Sequence, residues 1–83
     1  MTTSTTLLVV EDHPLYRHGL VDVLARSGVA DHIRSATSAA SALAILASGD
    51  DIDMALCDWR LPDGDGVQFL RDIARRYPTV ARV

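Results

Sequence analysis

Lysine is missing altogether from this 83-residue chain, whose eight cationic side chains are all arginine. Cysteine is nearly missing. The single Cys57 sits inside an apolar run, so no disulfide framework is expected, and a reducing cytoplasm is the expected setting. No apolar run approaches the ~18 residues of a membrane-spanning helix, which excludes such a span. The opening "MTTSTT" has neither a basic n-region nor an apolar h-region, so no signal peptide is expected. A net charge of −3 without a basic stripe argues against direct contact with nucleic acid by this segment. What remains, 48% apolar and 23% charged residues, is the ordinary make-up of one soluble globular domain at most.

Periodicity supplies the elements. "TLLVV" (Thr6 to Val10) is a short, β-branched-rich apolar run, the pattern of a strand covered on both faces. Pro14 suits the first turn of a helix, where its missing N–H costs nothing. Tyr16, Leu20, Val23 and Leu24 then form a helical stripe, and Ser27–Gly28 is a plausible stop. "HIRSA" (His32 to Ala36) is a weaker strand. Ser38 to Ser48 reads as an Ala-rich helix with Ala39, Leu43, Leu46 and Ala47 on one face, closed by Gly49. "IDMALCD" (Ile52 to Asp58) is the second clear buried strand, and "RLPDGDG" is a turn cluster by composition. Asp65 is a candidate cap for a helix from about Gly66, with Val67, Leu70, Ala74 and Tyr77 on one face and Pro78 as its stop. "TVARV" reads as the start of another strand. The order β-α-β-α-β-α-β predicts an α/β fold with a parallel sheet and right-handed crossovers.

"LLVVEDHP" poses the chemical question. Glu11 and Asp12 stand side by side at the end of a strand that reads as buried, where like charges repel unless something positive sits among them. Parallel sheets bind ligands beyond the carboxyl ends of their strands. Glu11, Asp12 and Asp58 all lie at such ends. If the two strands are neighbours, three carboxylates meet in one crevice, which a hard divalent cation such as Mg²⁺ would make tolerable.

"LLVVEDHPLYRHGL" followed by "MALCDWRLPDGDGVQFL" resembles the receiver domain of two-component response regulators, and the opening looks most like the subfamily carrying a C-terminal helix-turn-helix of the NarL/FixJ/LuxR type. The resemblance covers essentially the whole chain and rests on the acidic pair, the strand-end Asp, and the Pro and Gly that follow at the family's offsets. It implies a partial flavodoxin-like sheet, in the order 2-1-3-4 with three helices, the last strand and helices being absent. It further implies Asp58 as the phosphoacceptor, forming an acyl phosphate from a kinase phosphohistidine. Mg²⁺ would be held by Asp12, Asp58, the backbone carbonyl of Arg60 and, partly through water, Glu11. Pro62 and Gly66 would shape the loop over the pocket. Glu11 stands where the family more often has Asp.

On this resemblance, residues 1–83 are the N-terminal part of a single receiver domain, which in the family has five strands, five helices and roughly 120 residues. The hydroxyl residue ending the fourth strand and the lysine ending the fifth have no counterpart; Thr79 comes too early, and no lysine exists to substitute. Absence of the last helix is expected to leave apolar sheet surface open. The chain is therefore expected either to be a piece of a longer protein or to associate with another copy through its sheet edge or a helix face.

Plainer readings stand beside these. His13 is expected to be a turn residue, His18 and His32 surface or satisfied polar residues, Cys57 a small core residue, and Trp59 a packing residue at the pocket rim. "DGDG" fails as an EF-hand, because counting from Asp63 puts Val67 fifth and Ala74 twelfth where oxygen ligands belong. A haloacid dehalogenase-type phosphatase would need an Asp where Arg60 stands, and the first strand lacks a dinucleotide glycine turn. No independent enzyme is expected. The leading reading is a cytoplasmic phosphoacceptor domain that partners a sensor histidine kinase and controls an output domain outside this chain. The alternative is a receiver-like interaction module that does not signal by phosphorylation.

Overall fold

The computed structural model describes residues 4–49, 51–57, 60–61 and 64–82. Their order is β1 (Thr6–Val10), α1 (Pro14–Ser27), β2 (His32–Ala36), α2 (Ala39–Ala47), β3 (Met54–Cys57), β4 (Arg60–Leu61), β5 (Gly64–Asp65), α3 (Gly66–Arg76) and β6 (Ala81–Arg82). The main sheet is parallel, in the order β2-β1-β3-β6. This is the partial flavodoxin-like arrangement expected, with β6 as its fourth strand. The turn cluster differs from expectation, since Arg60–Leu61 and Gly64–Asp65 pair as a short antiparallel ribbon.

β1 is the axis of the molecule. Leu7, Leu8, Val9 and Val10 are all buried because β1 has a strand on either side and side chains packed on both faces. Leu8 and Val10 face a core built with Ala36, Ala42, Leu46, Ala55, Phe69 and Ile73, from β2, α2, β3 and α3. Leu7 and Val9 alternate to the face on which α1 lies. The strand's lower end is held by two carboxylates. Asp31 Oδ2 accepts from the Thr5 N–H and Asp53 Oδ2 from the Thr6 N–H, each at 2.7 Å.

α1 is capped as its sequence suggests and α2 ends at Ser48, one residue before Gly49, while Asp65 lies in β5 immediately before α3; the inward faces differ from the apolar stripes. α1 has His13 as N-cap, Pro14 in its first turn and Gly28 as a left-handed C-cap at φ 72°. Its half-buried face is Arg17, Leu20, Val21 and Leu24, while Tyr16 and Val23 are 64% and 63% exposed. α2 carries a reciprocal Ser38/Ser41 capping box and buries Ala42 and Leu46, leaving Ala47 exposed. α3 buries Gly66, Phe69 and Ile73, with Leu70, Ala74 and Tyr77 half-buried and Val67 exposed. In each case the helix turns toward the residues that meet the central strands, and an equally apolar neighbour one position off is left outside.

Candidate functional site

Register brings the two carboxylate-bearing strand ends together. Val10 pairs with Cys57 across the parallel β1–β3 ladder, so the last residues of both strands are side by side. Glu11 follows Val10 in the sequence, and Asp58 follows Cys57. Asp58 itself, with Trp59 and Pro62, lies outside the described residues. Among the described residues no three His, Cys, Asp or Glu side chains form a metal-sized group. Of the expected metal-site residues, the structure describes Glu11 and Asp12 in full and places Arg60 at the start of the short ribbon.

The β1–α1 turn is closely specified. The Glu11 N–H donates to the Ala36 carbonyl at 3.0 Å, extending the ladder with β2. Glu11 is 7% exposed, and its Oε1 accepts from the His13 N–H at 3.1 Å. One carboxylate oxygen is thus tied to the turn. Asp12 is exposed and makes no hydrogen bond to another described residue. His13 Nδ1 accepts from the Tyr16 N–H at 3.4 Å, so its lone pair caps α1, as expected of a turn residue rather than a ligand.

Something positive does sit beside the acidic pair, and the sequence reading missed it. Arg17 Nη1 donates to the Glu11 backbone carbonyl at 3.1 Å in a part-buried contact. The missed signal was spacing: 17, 20, 21 and 24 follow i, i+3, i+4, i+7, but a search for apolar residues passes over an arginine. His18 and His32 are exposed, and Cys57 packs half-buried against the main core, all as expected.

The donor set suits a hard cation. It offers an exposed carboxylate and a second that accepts a hydrogen bond from the backbone, which matches the few-carboxylate shell that Mg²⁺ prefers.

Comparisons with known proteins agree with this geometry. The family model described as "Response regulator receiver domain" matches residues 7–83. The chain is 39% identical over 72 residues to the DNA-binding transcriptional activator DevR/DosR of Mycobacterium tuberculosis, covering 87% of this chain and 33% of that protein. It is 35% identical over 77 residues to the sensor protein TorS of Escherichia coli, covering 93% of this chain and 8% of TorS. Among solved structures, the MaeR response regulator bound to beryllium trifluoride superposes with a TM-score of 0.87 at 38% identity, over 95% of this chain and 64% of that one. The chain thus spans about a third of the first of these proteins and under a tenth of the second.

Proposed function

Because this chain belongs to the response regulator receiver domain family, matched over residues 7–83, we propose that Asp58 is a phosphoacceptor. One Asp58 carboxylate oxygen attacks phosphorus of a kinase phosphohistidine. The P–N bond breaks, the imidazole leaves with a proton from solvent, and an aspartyl phosphate remains. Glu11, Asp12, Asp58 and the Arg60 carbonyl hold Mg²⁺, which when bound supplies positive charge to offset the phosphoryl oxygens. The residues of this chain do the holding: Glu11 fixes the turn through the His13 N–H and Asp12 presents an exposed carboxylate.

One observation carries the reading, the Val10–Cys57 pairing that sets the ends of β1 and β3 side by side with carboxylates next in the chain on both. Residues 1–83 form, on this proposal, the N-terminal part of a single cytoplasmic receiver domain. Similarity to a DNA-binding activator supports an output domain of helix-turn-helix type outside this chain as the bearer of DNA contacts. Among the described residues no helix is long and apolar enough to cross a membrane. The test is incubation of the intact natural protein with acetyl phosphate in the presence of Mg²⁺. Borohydride trapping and peptide mapping should mark Asp58. An unmarked Asp58 sinks the proposal.

A second reading has its own observation. α1 leaves Leu15, Tyr16 and Val23 at 79%, 64% and 63% exposed, with a groove of about 300 Å³ lined by Tyr16, Gly19, Leu20 and Val23. Apolar side chains gathered on one helix mark an interaction surface. Association of two copies there, without phosphotransfer, predicts a dimer by light scattering at micromolar concentration; a monodisperse monomer refutes it.

A further inference from the structure

We propose that Arg17 is the positioning residue of the acidic pair, aiming Asp12 at the cation without touching it. The inference rests on the metal-site reading above. Its ground is the backbone around Glu11, which is held from both sides. The Glu11 N–H is bound to the Ala36 carbonyl at 3.0 Å, and the Glu11 carbonyl is bound to Arg17 Nη1 at 3.1 Å. A peptide unit is planar, so the direction of the Glu11 carbonyl also sets the Asp12 N–H and the path of the chain into Asp12. Asp12 makes no hydrogen bond to another described residue. Its aim is therefore inherited from that peptide plane.

Arg17 is itself fixed. Its backbone N–H donates to the His13 carbonyl at 2.8 Å in the first turn of α1, and its side chain heads the helix face that continues through Leu20, Val21 and Leu24. A cation heads this otherwise apolar face, and its guanidinium spends a charge-assisted hydrogen bond on a neutral carbonyl. Such a contact orients; it does not neutralise a carboxylate. The planar guanidinium fork can hold one carbonyl in one direction, which a rotating ammonium on a different stem does less well.

Charge and geometry make opposite predictions, which decides between them. If Arg17 acted only through its charge, removing it would strengthen binding of a cation beside Glu11 and Asp12. If it acts through the peptide plane, removing it weakens binding. Arg17→Gln, Arg17→Met and Arg17→Lys variants of the intact natural protein are titrated with Mg²⁺ by calorimetry, with thermal midpoints measured in EDTA. The Gln and Met variants should bind Mg²⁺ roughly ten- to a hundredfold more weakly, the range for losing a partner that orients a ligand. Arg17→Lys should recover part of the loss. In metal-free protein the Asp12 amide resonance should move in Arg17→Gln while those of Ala81 and Arg82 stay, which a general loss of stability would not produce. Unchanged or tighter Mg²⁺ binding in Arg17→Gln overturns the inference while leaving the metal site standing. No Mg²⁺ binding by the unsubstituted protein overturns both.

Discussion

Replacing Glu11 separates two jobs that a single carboxylate performs. Its Oε1 holds the His13 N–H at 3.1 Å, and its charge belongs to the proposed cation site. Glu11→Gln keeps the length and an oxygen acceptor for the turn but removes the charge. Glu11→Ala removes both, empties a site that is only 7% exposed, and strands the His13 N–H in a part-buried turn. Leaving a buried donor unpaired costs about 1–3 kcal/mol, whereas exchanging a charged acceptor for a neutral one costs about 1 kcal/mol. In a domain of this size each kcal/mol moves Tm by roughly 4–8 °C. The alanine variant should therefore melt roughly 4–24 °C lower, and the glutamine variant roughly 4–8 °C lower. Across one bridging water, about 5 Å, a unit charge and a divalent ion attract by about 1.7 kcal/mol in water-like surroundings, so both variants should lose on the order of tenfold in Mg²⁺ affinity. Calorimetric melting in EDTA reads the first quantity and Mg²⁺ titration the second. Equal melting of the two variants would refute the account of the turn. Unaltered Mg²⁺ affinity in Glu11→Gln would refute the charge assignment.

Two further substitutions check the scaffold. Ser38→Ala removes the side chain that accepts the Ser41 N–H at 3.1 Å and should cost about 1 kcal/mol, seen as a lower urea midpoint with an unchanged slope. Asp53→Ala removes the acceptor of the Thr6 N–H at the lower end of β1, where water can partly replace it. It should cost about 1 kcal/mol in urea unfolding and leave Mg²⁺ affinity as it was; a changed affinity would show the two ends of the strand to be coupled.

The strands were the most legible part of the chain, for a physical reason. A strand buried on both faces needs an unbroken apolar run, and Leu7 to Val10 provide one; Met54 to Cys57 carry a similar run, although only Ala55 of it is buried and its neighbours are half-buried. The helices were legible in extent, because Pro14, Ser38 and Gly28 act through local backbone chemistry. Their rotation was not. Val67 and Phe69 are both apolar, and only the tertiary position of β3 and β6 decides that Phe69 turns in and Val67 out. Small residues blur the stripe further: in α2, Ala42 is buried and Ala47 exposed although composition treats them alike. At the site, the acidic pair was legible as an electrostatic problem, while its arginine neighbour was not, since the contact is to a backbone carbonyl that no side-chain pattern reveals.

The two ends of β1 show how one residue type serves opposite purposes. At the amino end, Asp31 and Asp53 are each committed to a backbone N–H at 2.7 Å, and that commitment locks β1 between β2 and β3. At the carboxyl end, Glu11 gives one oxygen to the turn and Asp12 gives none to any other described residue. A carboxylate whose acceptors are filled by the backbone has little left for a ligand; one left unfilled at a crowded strand tip keeps its full capacity. The adjacent Arg17 guanidinium donates to the Glu11 backbone carbonyl and holds the direction of the chain between the two carboxylates. On the proposed function, that arrangement leaves the pair attractive to a cation, and the feature that looked like an electrostatic fault in the sequence becomes a site kept open by its supports.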